Sequence, residues 1–486
     1  MTTLTSIKQS AIEDTGFSVG LTSAQATAIA EERGLVVYAT LANLPSVGVD
    51  EGSLALVKSD NSFHVFIDTS WESIQLDHDW SLSVDQAKLT ASDAQTSDQF
   101  GQGVTISSDG NYIIVGAYGE DTGGSSAGAA YVFTRSGSTW TEQAILRASD
   151  AQANDRFAFY AAGISSDGTY AVISAYLEDG GAGDPISGAG AAYIFTRSGS
   201  TWTQQAKITA SDAQANDNFG YSVSINSDGS YVVVGSAFED TGGYNVGAAY
   251  IYSRSGSTWT QQTKLTASDA SYNNRFGNSV ALNSDGSYLV IGAYTANDTG
   301  AAYVFTRSGS TWTEQQKIQH NEANMYTDYF GWSVAINALG DVIVVGAFYA
   351  EDDGTGLSNN GFAYIFTRSG STWKQEYRLV SPAGENSSGD NFGRSVSINN
   401  TGNVVVVGAP NADTVASNAG SAYAFNRSPS NTWTYSRELT ASDAQATDYF
   451  GWGASISGDG KYIVVGAYGE DAGGSSAGAA YVFNVV

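Results

Sequence analysis

The stretch Asp217-Asn218-Phe219-Gly220-Tyr221-Ser222-Val223-Ser224-Ile225 decides the fold, because the chain repeats it with small changes. After it come a turn at Asn226-Ser227-Asp228-Gly229, an apolar run Tyr231-Val232-Val233-Val234-Gly235 and a polar loop with Glu239, Asp240, Gly242 and Gly243. Two further runs, Gly247 to Tyr252 and Thr258 to Leu265, flank the turn Arg254-Ser255-Gly256-Ser257. Each run is short, rich in β-branched and aromatic residues, and bounded by Gly, Ser, Asn and Asp, so the unit reads as four antiparallel strands.

The Phe-Gly step recurs at Phe100, Phe157 (followed by Ala158), Phe219, Phe276, Phe330, Phe392 and Phe450, at intervals of 57, 62, 57, 54, 62 and 58 residues. One four-stranded sheet cannot cover both of its faces, so neighbouring copies must stack, and radial stacking leaves only short edges. The expected fold is all-β, a seven-bladed β-propeller over residues 79–486.

The two ends of the array complete each other. Residues 79–90 read as an outer strand with no blade before it, while the last copy stops after its third strand at Tyr481-Val482-Phe483. Pairing the two closes the ring and removes two open edges.

Ahead of the array, residues 1–20 read as a polar arm and 21–77 as a small mixed α/β module. Thr22 to Arg33 suits a short helix stopped by Gly34. Leu35 to Tyr38 suits a strand, and Leu54 to Lys58 with Phe63 to Ile67 a hairpin.

Composition narrows function. The chain has 486 residues, 42% hydrophobic, and carries 21 Lys and Arg against 49 Asp and Glu, a formal charge of −28. That charge repels phosphate backbones and anionic surfaces, so nucleic-acid binding is not expected. There is no Cys, and His64, His78 and His320 lie without metal-ligand spacing, so no metal or cofactor is expected. Met1 to Gly20 lacks a secretory pattern and no stretch reaches 18 apolar residues, so neither general secretion nor membrane insertion is expected.

The turns between strands one and two and between three and four are short and uniform, and lie on one face of the disc. The opposite face carries long, unequal, acidic loops: Glu120-Asp121, Glu178-Asp179 with Pro185, Glu239-Asp240 with Tyr244 and Asn245, Glu351-Asp352 with Leu357 and Asn360, and Glu470-Asp471. Unequal loops on a rigid scaffold are the expected binding surface, weighed against a plain solvated one. The Asp two residues before each Phe (Asp98, Asp155, Asp217, Asp328, Asp390, Asp448; Asn274 in the fourth copy) is expected to turn back onto backbone N–H groups.

The Phe-Gly step, Val-Gly-Ala in the second strand and Gly-Ala-Ala-Tyr in the third resemble the FG-GAP repeats of integrin α-subunit propellers and of bacterial proteins with an Ala-Ser-Asp-Ala lead-in. The resemblance implies the propeller and an extracellular recognition role. It departs at the turn after strand one, where Ser107-Ser108-Asp109-Gly110 is too short for the calcium loop of integrin-type repeats. Ser136-Gly137-Ser138-Thr139-Trp140 partly resembles the Asp-box of sialidases, with Arg135 where the Asp should stand, and no copy holds a singular carboxylate pair. No catalytic site is expected.

Ala39 to Pro45, Gly52 to Val57, Phe63 to Phe66 and Ser70-Trp71 resemble a short segment of tail-fibre and other structural proteins of tailed bacteriophages. Together these features predict a non-enzymatic virion-associated adhesion protein. Its expected partners are other virion proteins, met through the N-terminal module, and a host surface glycan or protein, within a homo-oligomer or larger assembly. The alternatives are a bacterial cell-surface adhesin and a propeller glycoside hydrolase.

Overall fold

The computed structural model describes residues 86–179, 186–321, 328–351, 358–382, 387–428 and 431–484, together with strand residues 36–38, 54–57, 62–67 and 70–73. Seven sheets of four antiparallel strands each form the blades. The third blade is typical: Ser222–Ile225, Tyr231–Ser236, Ala248–Ser255 and Thr258–Leu265 pair in that order. The innermost strands touch in sequence around the ring, and Ala454–Ile456 of the seventh blade meets Phe100–Ile106 of the first.

The ring closes as the sequence predicts. Gln86–Leu89 pairs antiparallel with Ala479–Asn484, placing Gln86 opposite Phe483 and Leu89 opposite Ala480. The seventh blade is therefore built from both ends of the array, and a cluster including Leu89, Phe100, Ile113 and Val482 packs across the seam.

Each blade interface is pinned by the repeated Phe. All seven are fully buried, and each meets the Tyr of the third strand edge-on or tilted, as Phe219 does Tyr250 at 5.4 Å between ring centres. Burial of one such ring contributes about 1.5–3 kcal/mol. The glycine that follows is needed for backbone reasons. Gly101 has φ +102°, and a Cβ there would lie 2.2 Å from the carbonyl oxygen of Ala479. Ala158 takes this place in the second blade at φ +63°, and the innermost strand there starts at once, over Phe157–Ile164, with a bulge before Ala162.

On the short-turn face the hairpin arginines staple adjacent blades. Arg135 donates to the carbonyls of Gly110 and Gly137 and lies 4.4 Å over the Tyr462 ring of the neighbouring blade. Arg197 over Tyr112, Arg254 over Tyr170 and Arg307 over Tyr231 repeat this at 4.3 Å.

The N-terminal unit is a separate four-stranded sheet of Val36–Tyr38, Leu54–Val57, Ser62–Ile67 and Ser70–Ser73. The expected first strand and hairpin are present, and Val36–Tyr38 pairs parallel with the second strand. The expected helix at 22–33 and arm at 1–20 lie outside the described residues. Among the described residues no helix is long and apolar enough to cross a membrane.

Candidate functional site

The long-loop face divides into acidic loops at the rim and a funnel at the centre. The acidic loops are largely turned inward. Glu120, Glu178, Glu239 and Glu470 are buried, and each is bound by a basic residue at the end of an outer strand: Arg147 at 2.9 Å, then Lys207, Lys264 and Lys88 at 2.7 Å. Each cation also holds an Asp of the lead-in (Asp93, Asp150, Asp212, Asp443), and that Asp accepts from the hydroxyl of Tyr131, Tyr193, Tyr250 or Tyr481. Burial raises the Glu120 carboxyl, but Arg147 and Thr122 outweigh it and hold the group below its ordinary value. Burial lowers Lys264, yet Asp212 and Glu239 more than offset it and leave it raised.

The Asp of each pair shapes its own loop. Asp121, Asp179, Asp240 and Asp471 accept from the backbone N–H of Ser126, Gly188, Asn245 and Ser476. The fifth blade is offset by one residue. Ala350 fills the place of Glu120, with Gly361 N–H donating to its carbonyl as Gly128 does to that of Glu120, so Glu351 stands one position on and is half-buried. Asn360 is buried and Asn245 is 7% exposed. Pro185, Asp352 and Leu357 lie outside the described residues.

Tyr244 is displayed. It is 57% exposed and stacks at 5.4 Å and 28° on Tyr272, itself 73% exposed, from the loop entering the fourth blade. This pair is the largest exposed aromatic feature of the rim among the described residues.

In five blades the aspartate before the Phe binds backbone, whereas Asp328 lies 3.1 Å from His320 Nε2 and the residue three before it is outside the described residues. Asp98, Asp155, Asp217, Asp390 and Asp448 accept from the N–H three residues earlier. Burial, only partly opposed by that hydrogen bond, pushes Asp155, Asp217 and Asp390 up to about 6. In the turns, the Asp109 carboxylate is taken up by Ser107 and Asn111.

The funnel is formed by the residue just after each Phe-Gly step: Gln102, Phe159, Tyr221, Asn278, Trp332, Arg394 and Trp452. All but Phe159 line, with Tyr160, a central cavity of about 210 Å³. Arg394 is 9% exposed and lies 4.0 Å from the ring centre of Trp452 and 4.5 Å from that of Trp332. Burial lowers its pKa, opposed by Tyr160, Tyr221 and Tyr468, and among the described residues it has no ion pair.

The surroundings of Arg394 are aromatic and cationic. Burial first, then neighbouring phenols, raise Tyr118, Tyr176, Tyr221, Tyr294 and Tyr468, and the charged side chains acting on them are Arg156, Arg275 and Arg394. Arg156 donates to the Tyr176 hydroxyl at 3.0 Å, and Arg275 to that of Tyr294. Tyr131 and Tyr250, farther out, lie instead in the field of Asp and Glu. The mouth is thus a basic island on an acidic protein.

Sequence reasoning reached Tyr244 and missed Tyr272 and the whole funnel. The available signal was the alignment of the seven copies on Phe-Gly. The next column, which holds Gln, Phe, Tyr, Asn, Trp, Arg and Trp, is the one place in the innermost strand where the repeat abandons itself.

The family model of the FG-GAP repeat matches residues 83–133, 140–195, 202–252, 259–305, 312–366, 373–425 and 433–483, one segment per blade and well over half of the chain. The chain belongs to the FG-GAP repeat family. A search of curated proteins finds no match. Among solved structures it is similar to a chain of Kuenenia stuttgartiensis hydrazine synthase, with a TM-score of 0.53 and 12% identity over 82% of this chain and 100% of that one. At that identity the likeness extends to the fold. FG-GAP propellers suit a binding or adhesion role. The long-loop face of this one holds the funnel and the Tyr244–Tyr272 pair.

Proposed function

We propose that this FG-GAP propeller is a non-catalytic recognition module that binds a host surface glycan or protein through its long-loop face, carried on a virus particle by residues 21–77. One observation carries the binding reading. The blades are near copies on the short-turn face and unlike one another around the funnel and in the loops. Rigid aromatic side chains on such a face give contact area at small entropic cost. The virion setting is supported by the resemblance of the N-terminal segment to phage structural proteins.

Two experiments test the reading. Replacing residues 183–187, 244 and 357–359 by Gly and Ser, and so sparing Val246 and Asn360, which are buried, abolishes adsorption to the host while the melting temperature stays in place. Adsorption that survives this change and disappears when the 136–139 turn is altered puts the binding surface on the other face. Antibody labelling of purified particles in the electron microscope finds the protein on virions, and unlabelled particles sink that part.

A further inference from the structure

Four polar groups converge on the funnel, and three of them have no hydrogen-bond partner among the described residues. Gln102 and Asn278 are each 6% exposed, and the side-chain oxygen of each lacks a hydrogen-bond partner. The Asn278 amide is fixed in orientation, because its Nδ2 donates to the Trp332 carbonyl at 2.8 Å and leaves Oδ1 unused. Trp452 Nε1 is likewise buried without an acceptor. Arg394 adds a buried positive charge that lies against the Trp332 and Trp452 rings and donates a hydrogen bond to the Tyr160 hydroxyl, with no ion pair among the described residues. Buried polar atoms are almost always paired, with protein, water or a ligand, so three in one cavity beside a buried cation call for a common partner.

We propose that the funnel binds a single carboxylate-bearing sugar residue, a uronate or a sialate. The proposal rests on the long-loop face being the binding face and names its ligand class. Arg394 and the indole N–H of Trp452 are donors suited to a carboxylate. The oxygens of Gln102 and Asn278 are acceptors suited to sugar hydroxyls. The half-buried rings of Trp332, Trp452 and Tyr221, which line the cavity, offer apolar surface to the C–H side of a pyranose. The cavity, about 210 Å³, falls below the roughly 300–1,000 Å³ of a drug-sized pocket and so takes one ring. Arg394 is the one cation in the cavity lining and matches a monoanion, whereas a dianionic phosphate would bring excess negative charge to a chain already at −28.

Titration calorimetry of the full chain with D-glucuronate, D-galacturonate and N-acetylneuraminate tests this, with glucose and acetate as controls. At least one acid sugar binds saturably, and both controls bind about tenfold more weakly or worse, because glucose leaves the cation unpaired and acetate leaves the amides and rings unused. Arg394→Met loses about tenfold or more of that affinity while Arg394→Lys retains most of it. Should Arg394→Met fail to fold, Asn278→Asp, which sets a negative charge in the cavity against the carboxylate of the sugar, lowers the affinity instead. The proposal is overturned if no acid sugar binds the unaltered protein, if acetate binds as well as the sugar, or if the variant that folds leaves affinity unchanged. Loss of host adsorption on loop replacement, together with no sugar binding, overturns this inference alone and leaves the long-loop face as the binding surface.

Discussion

Lys88 and Tyr481 stand opposite each other in the strand pair that closes the ring, with Lys88 Nζ 5.7 Å from the centre of the Tyr481 ring and 2.7 Å from both Asp443 and Glu470. Lys88 belongs to the first strand of the array and its three partners to the last blade, so the contact is both a latch and the local version of the joint found at Lys207 and Lys264.

Removing the latch strands a buried carboxylate. Lys88→Ala leaves Glu470, 2% exposed, without its cation, and with Lys88 itself a quarter exposed the expected loss is about 2 kcal/mol. Lys88→Arg is expected to be nearly neutral, since Arg147 plays the part in the first blade. Deleting residues 1–90 exposes the edge at 479–484 and yields aggregating protein, whereas deleting 1–76 leaves a folded propeller. Denaturant melts and light scattering check the series, and two deletions that melt alike overturn the closure.

The same seam illustrates what the chain makes legible. Four-strand periodicity, seven Phe-Gly steps and a fragment at each end suffice for the fold, because residues that repeat are those every blade interface needs. Funnel-lining positions obey the opposite rule: Trp332, Arg394 and Trp452 break the repeat and so look like noise beside it. The Glu-Asp pairs mislead for a different reason. Glu239 is neutralised by Lys264, 25 residues on, and no local pattern tells that the loop folds its carboxylate back onto the next joint.

Asp217 gives a pH-dependent prediction. Its folded-state pKa, pushed up to about 6 by burial, lies above the unfolded value, so its stabilising contribution is full below about pH 4 and lost as pH rises through 6. Asp217→Asn, the residue found at Asn274 in the fourth blade, removes that penalty. It is expected to stabilise the protein by about 1–2 kcal/mol at pH 8 and to gain nothing at pH 4. Urea melts at the two pH values decide, and an equal effect at both overturns the assignment.

Backbone strain at the Phe-Gly step is separable from the packing of its Phe. Gly101→Ala forces a Cβ into the Ala479 carbonyl at φ +102°, with an expected cost of about 3 kcal/mol. Ala158→Gly relieves an alanine held at φ +63° and is expected to gain about 0.5 kcal/mol, since the added freedom of the unfolded chain takes back part of the relief. Opposite signs for the two substitutions in thermal melts are the check.

The stacked pair Tyr244–Tyr272 gives the sharpest test of the rim. Both rings project from the loops flanking the third joint, and each is more than half exposed, so truncation removes contact area available to a partner with little loss of core. Exposed substitutions of this kind usually move stability by no more than about 0.5 kcal/mol. Backbone geometry nearby is independent of the rings, because Asn245 N–H is held by Asp240 and Arg275 N–H by the Asn245 carbonyl. Tyr244→Ser with Tyr272→Ser is therefore expected to keep the melting temperature within about 2 °C while weakening adsorption tenfold or more, the behaviour of aromatic anchors at the centre of an interface. Either single substitution leaves one ring without its stacking partner and is expected to weaken adsorption by an intermediate factor. Adsorption isotherms on host cells for the four proteins settle the matter, and a double variant that adsorbs like the parent removes this pair from the binding surface.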